Sequence, residues 1–199
     1  MFTINFCAAG CGRVALSGSK LCVVHAADPD AEIARIVNMI QEQQTIKDLV
    51  AGGGRFENVD FSKRHFYGCT FKGASFTSCI FTGARMRMVF FDFAEFFDCD
   101  FSESDLQFIS FAGTVMRDCV FEKVEALHLN FGGAVITNSQ FKSSNLYNSR
   151  FINANITFSN FIDCNLQRTN FIKAYLEEVS FKSSNSAEAV FDFSPMELK

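Results

Sequence analysis

Along most of this chain the large apolar residues recur at every fifth position. The slots run Phe56, Phe61, Phe66, Phe71, Phe76, Phe81, Met86, Phe91, Phe96, Phe101, Leu106, Phe111, Met116, Phe121 and onward to Phe191 without one insertion. Only Ala126 and Ser186 break the rule of a large apolar side chain. Two residues before each slot the side chain is usually small, as at Cys69, Ala74, Cys79, Ala84, Ala94, Cys99, Ser104 and Cys119. An α-helix repeats its faces every 3.6 residues and a strand every two, so neither alone explains a period of five. Such a period is the mark of a repeat architecture in which each unit stacks on the next. Upstream the pattern changes. Asp28-Pro29-Asp30 reads as an N-cap, a proline in the first turn and an acid beside the helix N-terminus. Helical spacing puts Ile33, Ile36, Val37 and Ile40 on one stripe, and the pattern predicts a helix to about Val50, stopped by Gly52-Gly53-Gly54. Ile46, Leu49 and Val50 form a second, offset stripe. The later stripe is expected to cap the first coil and the earlier one to meet the cysteine-bearing N-terminal module or a second subunit.

The stretch Phe-Ile-Asn-Ala-Asn-Ile at 151–156, with the unbroken register around it, resembles the pentapeptide-repeat family, whose motif is roughly A-(D/N)-(L/F)-x-x. The resemblance implies an all-β solenoid, a right-handed quadrilateral β-helix of about seven coils. Each coil would hold four repeats, with the slot residue and the residue two before it pointing inward. On that geometry slots twenty apart stack. The columns Phe61 to Phe181 and Phe71 to Phe191 are then wholly phenylalanine and face each other, while Met, Leu and Ile mix with Phe in the other two. Seven coils at the strand spacing make a rod about 30–35 Å long. The expected organisation is a metal-binding module over 1–27, a helix and linker capping the solenoid over 28–54, and the β-helix over 55–195.

Composition sharpens this picture at three points. The chain holds 26 Phe, 2 Pro and no Trp, the budget of a repeat that demands one large apolar residue per unit. Its net charge of −4 argues against an extended nucleic-acid surface. No apolar run reaches the length of a membrane span, and Met1 to Cys11 lacks the basic and apolar segments of a signal peptide, so a cytoplasmic location is expected. Of the 8 Cys, five (Cys69, Cys79, Cys99, Cys119 and Cys164) sit two before a slot and read as small buried fillers with free thiols, although Cys79, Cys99 and Cys119 stack closely enough for a disulfide.

The other three cysteines carry chemistry. Cys7, Cys11 and Cys22, followed by His25, make the spacing C-x3-C-x10-C-x2-H. Two close pairs of thiolate and imidazole donors suit tetrahedral Zn2+, and this segment has too little apolar content to fold without a staple. Four protein ligands leave no open position, so the expected zinc is structural. No catalytic residue is expected. His65 and His128 lie three coils apart, and Asp92, Glu95, Asp98, Asp100, Glu103 and Asp105 belt one coil. The expected function is a non-enzymatic scaffold that binds a protein partner, without nucleic acid or membrane. The alternative, implied by the quinolone-resistance members of the resembled family, is a DNA mimic acting on a type II topoisomerase through an acidic face of Glu57, Glu95, Asp98, Asp118, Glu177 and Glu178. A charge-poor strip with Phe90, Phe93, Ile152 and Ile172 is a candidate interface for a homodimer, formed side to side, or end to end through a last coil covered only by Phe193 to Lys199.

Overall fold

The structure, a computed structural model, describes residues 5–192; the expected limit of the solenoid at 195 and the covering segment 193–199 lie outside them. A parallel β-solenoid of about seven coils fills most of the described chain. One sheet holds Thr45–Lys47, His65–Tyr67, Arg85–Arg87, Asp105–Gln107 and Glu125–Leu127. The other runs from Arg55–Glu57 through Ser75–Thr77, Glu95–Phe97, Val115–Arg117, Val135–Thr137 and Asn155–Thr157 to Tyr175–Glu177. Pairing keeps the twenty-residue offset, as in Ile46 with Phe66 and Phe96 with Met116. These sheets carry the mixed columns. The two all-Phe columns lie on the remaining sides, where single bridges such as Asp60 with Ile80 and Thr70 with Phe90 join successive coils.

Within each ladder the rings lie nearly parallel: Phe101 stacks on Phe121 at 4.7 Å and Phe111 on Phe131 at 4.9 Å. Between ladders they meet edge to face, with Phe101 against Phe111 at 5.9 Å and 88°. Both arrangements suit the ring quadrupole. They fill the interior to close packing, and Ala126 stays buried within it. The position two before the slot does more than fill space. Cys79, Cys99 and Cys119 donate S–H to the carbonyls of Phe56, Phe76 and Phe96 at 3.4, 3.6 and 3.6 Å, and Thr169 bonds the Leu146 carbonyl in the same way. All of these cysteines are free thiols. Burial pushes Cys69 and Cys164 up to about 11, and Cys99 rises to about 12, led by the neighbouring Cys119 thiol.

The helix ends sooner than its pattern suggests. It spans Pro29–Glu42, capped by the Asp28 carboxylate, which accepts from the Ala31 N–H at 2.9 Å. Gln43 is already extended, and Ile46 is a buried slot of the solenoid, paired with Phe66. The five-residue register therefore begins at Ile46 and Ala51, two slots before Phe56. Strand pairing along the open edge of the first coil outweighs the helical preference of this segment. The roles of the two stripes change accordingly. Ile33, Ile36 and Ile40 are the residues that cap the first coil, in one core with Leu16, Ile46, Leu49 and Phe56. Gly52–Gly54 does not stop the helix. A side chain on Gly53 would meet Val23 at 2.8 Å, and one on Gly54 would meet Ile33 at 2.6 Å, so these glycines let the module and the helix close onto the coil. Polar groups finish the edge. Gln41 donates to the Asp60 carbonyl at 2.7 Å, Arg64 donates to the Gln43 carbonyl at 3.0 Å, and Ser17 exchanges two bonds with Val50. A covered edge of this kind cannot recruit a foreign strand.

Candidate functional site

The N-terminal segment folds around Cys7, Cys11, Cys22 and His25. Cys7 opens a tight knuckle: the Gly10 N–H bonds the Cys7 carbonyl at 2.9 Å, and Gly10 turns with φ +72°. A bridge between Phe6 and Val14 closes the loop. Cys22 caps a short 3-10 turn, Val23–His25, which swings His25 back over the thiols. The four ligand atoms all lie within 4.8 Å of one another. His25 Nδ1 is 3.5 Å from both Cys7 Sγ and Cys22 Sγ, and Cys11 Sγ is 3.7 Å from Cys22 Sγ. A tetrahedron with Zn–S near 2.3 Å and Zn–N near 2.0 Å has S···S edges of about 3.8 Å and S···N edges of about 3.5 Å. These three edges match such a tetrahedron, and the cluster can hold a metal.

Local electrostatics favour thiolates at two of the three cysteines. The Cys22 backbone N–H points at Cys7 Sγ at 3.4 Å and leads in lowering that thiol to about 6. The Arg13 backbone N–H leads in lowering Cys11. Burial pushes Cys22 the other way. His25 is raised, first by Cys7.

On the rod itself the predicted surface residues take separate places. Phe90 and Phe93 are 47% and 64% exposed. Ile152 and Ile172 share their side of the solenoid but are half-buried. Glu57, Glu95, Asp98, Asp118, Glu177 and Glu178 belong to the side built on Phe56 to Leu176. Val115 and Val135 follow Glu95 in register, and Arg117 follows Phe97 and lies over its ring at 5.9 Å, so the acids form no continuous row. Asp98 and Asp118 accept from Ser78 and Asn138. His65 and His128 remain apart, on strands separated by two others or just beyond them. His128 stacks on Phe108 at 5.1 Å and pairs with Asn148 at 2.6 Å, and neither partner is a nucleophile.

One feature of the turns is not apparent from the apolar pattern. The residue two after every slot from Ile46 to Ser186 has positive φ. Asn, Asp and Gly suit this conformation, but Met88, Phe93, Phe108 and Phe158 also adopt it, and all four are exposed. The signal available in the sequence was the frequency of Gly, Asn and Asp at that position; the bulky exceptions then stand out.

No helix among the described residues is long and apolar enough to cross a membrane. Among solved structures the chain is similar to QnrB1, a plasmid-mediated fluoroquinolone resistance protein, at 17% identity, covering 77% of this chain and 95% of that one, with a TM-score of 0.42. It is also similar to HetL, a pentapeptide repeat protein involved in heterocyst differentiation regulation in Nostoc sp. strain PCC 7120, at 11% identity, 80% and 93% coverage and a TM-score of 0.35. A third is Rfr23 from Cyanothece 51142, at 12% identity, 80% and 99% coverage and a TM-score of 0.38. No curated protein sequence matches the chain. The description "Pentapeptide repeats (8 copies)" matches residues 55–91 and 94–126, and "Pentapeptide repeat region" matches residues 114–191. With nearly the whole solenoid matched, the chain belongs to the pentapeptide repeat family.

Proposed function

We propose that this protein is a non-enzymatic scaffold that binds a partner protein through its solenoid, with a zinc ion holding the N-terminal module in place. The observation that carries the reading is the exposure of Phe90 and Phe93, which flank the buried slot Phe91 in one coil. Exposed apolar groups gathered in one place mark contact surfaces. Affinity capture from the source cell with wild type and with a Phe90→Ser/Phe93→Asn variant tests it. The proposal predicts a partner that is lost with the variant; retention of every captured partner removes this face from consideration. The same capture with Glu95, Asp98 and Asp118 neutralised tests the alternative of topoisomerase mimicry, which the interrupted acidic row supports less well.

Zinc suits the Cys3His donor set and the tetrahedral spacing, and a site with all four positions taken by protein is structural. Metal analysis of protein purified without chelator should find one zinc per chain. A homodimer through the Ile152–Ile172 side is the expected assembly of the scaffold. Sedimentation of an Ile152→Glu/Ile172→Glu variant should show its dissociation, whereas a persistent dimer points to the rod ends. A cytoplasmic location, where thiols stay reduced, suits a chain that uses its cysteines as buried fillers and candidate metal ligands.

A further inference from the structure

We propose that the groove between the metal module and the first coils is a peptide-binding site, which takes a large apolar side chain of a partner protein flanked by carboxylates. This inference rests on the scaffold reading and names the chemistry of the partner.

The groove encloses about 490 Å³. Val14 and Val24 wall it on the module side, Val50 and Phe93 on the solenoid side, and Arg13 and Lys72 are its only charged residues. Its floor is formed by turns of successive coils. Gly53 and Gly73 stand there, and a side chain on Gly73 would meet no atom within 4 Å, so the space above it is open. Two of the floor's N–H groups are satisfied: Gly53 donates to the Lys72 carbonyl and Gly73 to the Asp92 carbonyl, both at 2.9 Å. An open floor of glycine turns leaves room for an apolar guest.

Phe93 is the residue the fold does not ask for. Along its row of turns Gly53, Gly73, Gly113 and Gly133 all have φ between +63° and +70°, and only Phe93 among these five is bulky, at φ +59°. Every turn of the solenoid takes this left-handed conformation, so the backbone at position 93 belongs to the fold; the bulky apolar side chain placed there is what sets it apart from the glycines of its row. The ring is 64% exposed, lies across Gly113, and carries the Lys72 ammonium 5.5 Å from its centroid. Opposite it, Val24 is 59% exposed. Two apolar groups, one from the module and one from the solenoid, are thus left in water on the walls of a single groove. Charge selects the guest. Neither Arg13 nor Lys72 forms a salt bridge among the described residues, and no acid lines the groove, so carboxylates beside the apolar anchor complete the site. Because Val14, Val24 and Arg13 come from the metal module, the site exists only when that module is folded.

Random dodecapeptides displayed on phage, selected on the metal-loaded full chain, test this directly. Enriched sequences should carry a Phe, Leu, Ile or Met with an Asp or Glu within two residues. A selected peptide, synthesised with a fluorophore and titrated by anisotropy, should bind Phe93→Asn at least tenfold more weakly. It should also bind Arg13→Glu/Lys72→Glu at least tenfold more weakly at low salt, and chelator-treated protein not at all. Circular dichroism melts confirm that each variant is folded. No enrichment, enrichment of basic or uncharged sequences, or equal affinity for Phe93→Asn would overturn the proposal. If the captured partner of the cell extract is lost with Phe90→Ser alone while no peptide is selected, the scaffold reading stands and the groove does not.

Discussion

Between Ile46 and Phe171 every fifth side chain is buried against its neighbours in the coils above and below. Between residues 5 and 26 the buried apolar residues are only Cys7, Ala15, Leu16 and Cys22, and two of these four are candidate metal ligands. The solenoid repeats one solution, so each coil is both a core and the template for the next. The N-terminal segment has no such neighbour. It leans on the first coil through Leu16, Val23 and Ser17, and its remaining order comes from four donor atoms converging on one point. On the proposed zinc reading the two regions fold by different routes: many weak apolar contacts in register, or a few strong bonds to one ion.

Removing the ion should therefore separate the two regions completely. Structural zinc contributes on the order of 10 kcal/mol to small modules of this kind. Chelation, or Cys22→Ser, should abolish amide protection over roughly the first 25 residues and leave the solenoid's circular dichroism melt in place. Iodoacetamide applied at pH 8 to stripped, undenatured protein should then label Cys7, Cys11 and Cys22. It should spare Cys69, Cys79, Cys99, Cys119 and Cys164, which are buried; for Cys69, Cys99 and Cys164 the raised pKa also keeps the thiolate fraction small at that pH. A Cys22→Ser protein with full metal content would refute the ligand assignment.

The next effect belongs to the ladders. Phe111→Ala and Phe121→Ala should each cost about 3–5 kcal/mol in chemical denaturation, the range for a large aromatic removed from a close-packed core. Thr137→Ala, which alters an outward position on the same rod, should cost under about 0.5 kcal/mol. Equal losses at all three positions would contradict the division into inward and outward slots. At the joint between the regions, Ser17→Ala removes one hydrogen bond to the Val50 N–H, now 2.8 Å. About 1 kcal/mol of local stability should go with it, read as faster exchange of the Val50 amide.

How much of this was legible follows from the same contrast. The ladder was readable because Phe at a fixed interval has no competing explanation, and the Cys3His spacing was readable because few other roles bring those residue types so close. The start of the solenoid was not. Ala51 is too small to look like a slot, and Gly52-Gly53-Gly54 imitates a helix stop although its true use is the close approach of Val23 and Ile33. The segment Gln43–Val50 has a helical composition, and only pairing with the strand His65–Tyr67 makes it extended. Pairing of that kind is a tertiary fact, absent from any local window. The groove was illegible for the same reason: its walls, Val24 and Phe93, are far apart in the chain.

The smallest expected effect is the sharpest contrast, because it sets two phenylalanines of one turn against each other. Phe91 is fully buried and stacks on Phe71 and Phe111 at 5.3 and 5.2 Å. Phe93, two residues on, lies mostly in solvent with a left-handed backbone. Replacing Phe91 with Ala should cost about 3–5 kcal/mol. Replacing Phe93 with Asn loses the ring's contact across Gly113 and the Lys72 ammonium above it, each exposed and worth less than about 1 kcal/mol. It gains a residue that tolerates the left-handed region, at a saving of similar size. The two should nearly cancel, leaving a change within about 0.5 kcal/mol, measured as the midpoint of urea unfolding at constant m-value. A near-zero change means that stability does not account for the ring at position 93, which leaves it free to serve an apolar partner. A loss above about 1 kcal/mol would make Phe93 a structural brace across Gly113 and take away the main reason for regarding its exposure as an interface.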